Sequence, residues 1–112
     1  MKGAFMHRIS VHPSGLAASA AITGRLSGDL ADLTARAAAA APELLASAFG
    51  PIGADFSAAY AAAHATHLGA LAELSAAFAG IGTASDEAAS AFVTQDAAYA
   101  AAVRATGTEL RA

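Results

Sequence analysis

The stretch Phe49-Gly50-Pro51-Ile52-Gly53 decides how this chain folds, because Gly-Pro followed closely by a second Gly is a strong reversal signal. On its N-terminal side, Ile22, Leu26, Leu30, Leu33, Ala37 and Ala40 recur at intervals of three and four, which is one stripe of an amphipathic helix. Arg25, Asp29, Asp32 and Arg36 fall between those positions, as a wetted face requires. Pro13 suits the first turn of a helix, with Ser10 or Ser14 as its cap. The first helix is therefore expected over about 13–41. Pro42 ends it, since proline biases the preceding residue away from helical angles. Glu43 to Ala48 then make one or two kinked helical turns before the reversal at Phe49, Gly50, Pro51 and Gly53.

On the C-terminal side a second helix is expected over about 54–105, with Asp55 favourable near its N-terminus. Its stripe is Phe56, Tyr60, Ala63, His67, Leu71, Leu74, Phe78, Ile81, Ser85, Ala88, Phe92, Gln95 and Tyr99, with a nearly heptad rhythm. Gly80 and Gly82 each cost a helix interior about 1 kcal/mol relative to Ala. Thr83-x-x-Asp86 fits a capping box and would suit a restart there. The stripe keeps its phase across the glycines, so one long helix, bent or straight, is the reading. The tail after Gly107 is expected to fray.

Composition points the same way. About a third of the 112 residues are alanine, the best helix former, while β-branched and aromatic strand formers are few. The fold class is all-α: one domain, an antiparallel hairpin of two long helices. Two helices of unequal length cannot enclose a core, so two hairpins are expected to pair into a four-helix bundle dimer. Leu26, Leu30, Leu33, Phe56, Tyr60, Leu71, Leu74 and Phe78 are the expected core and dimer interface.

Several function classes fall away. A net charge of −3 offers no basic surface to a phosphate backbone, so nucleic acid is not an expected partner. No cysteine means no disulfide and no thiolate metal site. His64 and His67 share a helical face, but neither Asp55 nor Glu73 completes a ligand set, so no metal and no cofactor are expected. The serines lack a triad context and the carboxylates are unpaired, which argues against an enzyme. Gly80-Ile-Gly82 follows no strand and precedes no Lys, so it is not a phosphate loop. The longest uncharged run, Phe56 to Ala72, contains two histidines and is padded with Ser, Thr and Ala, short of a bilayer span. Lys2 and Arg8 before Leu16–Ile22 superficially match a secretory leader. Pro13, Ser14 and Gly15, however, sit where its apolar core would begin. Export would need another route.

Three stretches carry a family resemblance: Ile9-Ser-Val11-His-Pro13-x-x-Leu16, Gly50-Pro51-Ile52-Gly53-Ala-Asp-Phe56, and Phe92-Val-Thr-Gln-Asp96-Ala-Ala-Tyr99. Together, over about residues 9–105, the chain resembles the EspC-like type VII (ESX) secretion targets, relatives of the WXG superfamily of small helical hairpins. The resemblance implies export without a cleaved signal by an actinobacterial type VII system, cytoplasmic before export and secreted or surface-located after it. It also implies a hairpin that dimerises and a Tyr-x-x-x-Asp/Glu export signal in the C-terminal helix, read by the secretion ATPase. Phe92 and Asp96 occupy the signal's positions; four residues apart on one helical face, they pair an aromatic plate with a carboxylate. Pattern alone would make Phe92 a seam aromatic and Asp96 a solvated acid beside it. Phe92 stands where the family motif has Tyr, and Phe49-Gly50-Pro51 stands in place of the superfamily's Trp-x-Gly turn.

Three functions remain open at this point. The chain is a type VII substrate exported as a folded homodimer or heterodimer with another small hairpin. Alternatively it is an adaptor or chaperone for a larger exported toxin or effector. The third option is a cytoplasmic structural homodimer.

Overall fold

A computed structural model describes residues 9–111. Helix α1 spans Pro13–Ala39, a 3₁₀ turn follows at Pro42–Leu45, and the short helix α2 covers Ala46–Phe49. A second 3₁₀ turn, Pro51–Gly53, leads into helix α3, Ala54–Arg111. The architecture is an all-α helical hairpin, with no strand among the described residues. Neither Ser10 nor Ser14 caps α1. Its N-cap is His12, which makes no side-chain capping bond, and Pro13 occupies N1, where a missing N–H costs nothing.

The reversal is built from residues with little choice. Ala41 is extended, as the residue before a proline prefers to be. Gly50 has φ 59° and ψ −162°, a conformation open essentially to glycine. A Cβ on Gly53 would lie 2.5 Å from the Cβ of Phe49, so the ring can fold over the turn because Gly53 has none. Phe49 then packs on Phe56, with ring centroids 5.1 Å apart. Tyr60 and His64 continue this ladder up α3 at centroid spacings of 6.2 Å.

α3 does not break at its glycines. Its 58 residues predict a rod of about 87 Å, and the longest dimension of the molecule is 91 Å. α3 runs through Gly107 to Arg111, past the expected end near residue 105. The hydroxyls of Thr106 and Thr108 donate back to the carbonyls of Ala102 and Arg104, and Arg111 adds a cation to the last turn, where the helix dipole favours one. Gly80 faces open space, with nothing within 4 Å of a would-be Cβ. Gly80→Ala should therefore stabilise the hairpin by about 1 kcal/mol. Thermal unfolding followed by circular dichroism should show a melting temperature about 4–8 °C higher.

The seam between α1 and α3 is not the stripe of largest side chains. On α1 the shielded positions are Pro13, Leu16, Ala20, Thr23, Ser27, Leu30, Thr34 and Ala37. On α3 they include Ser57, Ala61, His64, Leu68, Leu71, Ser75, Phe78, Gly82, Ser85 and Ala89. Small side chains at so many of these sites bring the two backbones together. Ser27 Oγ donates to the Ser75 carbonyl and Ser75 Oγ to the Ser27 carbonyl, each at 2.8 Å, which pins the register. Seven residues on, Gly82 is buried under α1, where a Cβ would meet Thr23 Oγ1 at 2.9 Å and the Ala20 carbonyl at 3.3 Å.

Such a seam encloses little. Gly82 and Ala89 are the buried residues of α3, and α1 has none. The accessible surface is 8379 Å², whereas a compact monomer of this mass exposes about 5,600 Å². The excess is physical grounds for a partner.

Candidate functional site

Two surfaces stand out. The first is a row of large apolar side chains, each one residue before a seam position: Ile22, Leu26 and Leu33 on α1, and Phe56, Tyr60, Leu74 and Ile81 on α3. Because the helices run antiparallel, positions just before the seam lie on the same side of the hairpin on both. All seven are exposed, from 41% for Leu26 and Tyr60 to 55% for Phe56. Positions just after the seam hold Ala17, Gly24 and Ala79, which with Asp86 line a shallow groove on the opposite side. One face of the hairpin is thus bulky and apolar, and the other is small and partly acidic. Of the residues expected at the core and dimer interface, Leu30, Leu71 and Phe78 lie in the intramolecular seam. Leu26, Leu33, Phe56, Tyr60 and Leu74 lie on the exposed face.

The second surface is the end of α3. The start of α1 at Pro13 lies beside Ala89, where the two helices share a cleft. Beyond it α3 projects past the start of α1, and residues 90–111 are exposed apart from Gly107. Phe92 and Asp96 sit at the base of this overhang, and with Ile9, Ser10 and Val11 they line an open cleft. Their shared face is therefore presented to solvent, with Ile9, Ser10 and Val11 along one edge.

The histidines separate. His64 lies in the seam with its Nε2 buried and without a hydrogen-bond partner among the described residues, while His67 is exposed on the bulky face. Among the described residues no group of three His, Cys, Asp or Glu side chains is placed to hold a metal. The helical run Pro51–Arg111 contains an 18-residue window of mean hydropathy 1.2, of which 6% is buried. By length and composition such a window can cross a bilayer, a weaker signal than a span of Leu, Ile and Phe because alanine supplies much of it.

Sequence patterning placed Leu30, Ala37, Leu71, Phe78 and Ser85 correctly on the seam, fell one residue short of it at most other positions, and missed Ser27, Ser75 and Gly82 as its closest contacts. The available signal was the seven-residue spacing of Ala61, Leu68, Ser75, Gly82 and Ala89, which ranking by hydrophobicity conceals.

A comparison with known families matches residues 5–105 to the family described as excreted virulence factor EspC, type VII ESX diderm. The chain belongs to this family. It is accordingly a type VII ESX-secreted protein by family, and the sequence resemblance over residues 9–105 is upheld. No curated protein and no solved structure matches the chain.

Proposed function

We propose that this EspC-family hairpin is a type VII substrate whose export signal is Phe92 with Asp96, read by the secretion ATPase on the projecting end of α3. The observation that carries this reading is the overhang itself: the two side chains share one exposed face beyond the reach of α1. A folded hairpin can therefore offer its signal without unfolding. The chain travels without a cleaved leader, cytoplasmic before export and secreted or surface-located after it. It travels as a folded dimer, the exposed Leu26–Leu33 and Phe56–Ile81 face meeting another small hairpin to complete a four-helix bundle. Nothing in the chain supports an enzymatic role, and no cofactor enters the reading.

A secretion assay with Phe92→Ala and Asp96→Ala tests the signal. Each variant should accumulate inside the cell, with export down about tenfold or more and hairpin stability unchanged, since neither side chain belongs to the α1–α3 seam. Phe92→Tyr should export at least as well as the parent. Export unaffected by both alanine substitutions would remove Phe92 and Asp96 from the signal. A second reading, an adaptor for a larger exported effector, is favoured by the missing phenol at Phe92, because a partner could supply the complete motif. In that case export of the partner, and not of this chain alone, should fall with Asp96→Ala.

A further inference from the structure

The three-four rhythm that sets the seam positions of α3 does not stop where α1 starts. It continues in phase up the overhang through Phe92, Asp96, Tyr99, Val103, Thr106 and Leu110, at alternating intervals of three and four from Ala89. Within the hairpin the seam carries small side chains at many positions. Past Ala89 it carries bulky ones, and Tyr99, Val103 and Leu110 are 64%, 69% and 83% exposed. A heptad seam of this kind is completed by another helix.

We propose that the overhang of α3, residues 90–111, pairs antiparallel with the same segment of a second copy of this chain. The sequence of the seam selects that occupant and its direction. Centred near Ala101, antiparallel pairing sets Phe92 against Leu110 of the second copy, Tyr99 against Val103, and Asp96 against Thr106. Every apolar seam residue meets an apolar one. The two polar residues meet each other, and the Thr106 hydroxyl, which donates to the Ala102 carbonyl in the single chain, can turn to donate to the Asp96 carboxylate instead. Parallel pairing in register instead stacks Asp96 on Asp96 inside an apolar seam, which like-charge repulsion opposes. Sliding the antiparallel pair by one heptad towards the hairpin sets Asp96 against Tyr99 and brings Thr106 and Leu110 against Ala89 and Ser85, which α1 already shields; sliding it the other way takes Phe92 and Asp96 away from their partners.

The lengths agree as well. An antiparallel mate covers the overhang from one end to the other, about 33 Å. Its terminal turn then lies in line with α1, and its Leu110 faces the cleft formed by Ile9, Ser10, Val11, Phe92 and Asp96. This contact uses none of the residues on the Leu26–Leu74 face, and it does not depend on how the chain is exported. Combined with the export reading above, it has one consequence: pairing covers Phe92 and Asp96, so a paired overhang is hidden from the ATPase.

Cross-linking of the full chain, which has no native cysteine, decides the matter. Mixing the Phe92→Cys and Leu110→Cys variants under mild oxidation should give at least tenfold more disulfide-linked dimer than either variant alone. In the proposed register two copies of position 92 lie about 27 Å apart. Mixing Tyr99→Cys with Val103→Cys should link equally well, which guards against one pair weakening the contact. A Phe92→Cys self-link as strong as the mixed one would establish parallel pairing and overturn the proposal. No linkage in either mixture would overturn it too and assign the seam to a different chain.

Discussion

Gly82→Leu should open the hairpin. At Gly82 the backbones of α1 and α3 approach so closely that even a methyl group would sit 2.9 Å from Thr23 Oγ1 and 3.3 Å from the Ala20 carbonyl. Thr23 cannot easily turn aside, because its hydroxyl donates to the carbonyls of Ser19 and Ala20 and its β-branch has few rotamers. A leucine must therefore push the helices apart, at a cost of about 2–3 kcal/mol for overpacking. Separation there also strains the reciprocal Ser27–Ser75 pair two turns away. For a domain whose seam buries so little, that loss is a large fraction of total stability. Circular dichroism should show a lower melting temperature by at least 10 °C, and amide exchange should speed up along α1. Gly80→Ala, two residues away and facing open space, should move stability in the opposite direction. Equal responses at the two glycines would show that the seam does not pass through Gly82.

Leu26→Asp combined with Leu74→Asp should abolish association through the bulky face while leaving the hairpin folded. Both side chains are nearly half exposed in the single chain, 41% and 46%, so the hairpin itself loses little when they change. In a four-helix bundle the same positions are enclosed, and each Asp then brings an unpaired carboxylate into an apolar interface. Losing about 1 kcal/mol of apolar burial at each site, with the desolvation penalty added, weakens binding about a hundredfold or more. Light scattering at tens of micromolar should report a smaller assembly, and circular dichroism should report unchanged helicity. A parent chain that forms no such assembly by itself would place its partner in a different hairpin protein. An assembly unaffected by both substitutions would remove this face from the interface.

Much of this fold was legible in the residues. Alanine content and the three-four rhythm specified helices, and Gly50-Pro51 with Gly53 specified where they reverse. The long second helix was legible too, because its stripe held phase across Gly80 and Gly82. What patterning misjudged, apart from Leu30, Ala37, Leu71, Phe78 and Ser85, was which side chains face inward. Ile22, Leu26 and Leu33 outrank Thr23, Ser27 and Thr34 on any hydrophobic scale, yet the lower-ranked set forms the seam. Interaxial distance depends on side-chain size at the contact, and the smallest residues allow the closest approach and the Ser27–Ser75 exchange. The candidate signal was visible as Phe92 with Asp96, but its accessibility was not. That follows from α1 starting opposite Ala89 and leaving the rest of α3 beyond its reach.

By itself, then, the sequence determined the helices, their reversal and the family. Each of these depends on local propensity, on turn chemistry or on short matching stretches. Tertiary structure decided the facing of the helices, the burial of Gly82, the exposed apolar row and the free end of α3. Those properties depend on how closely two backbones can approach and where the shorter helix begins, and neither is a property of one helix alone.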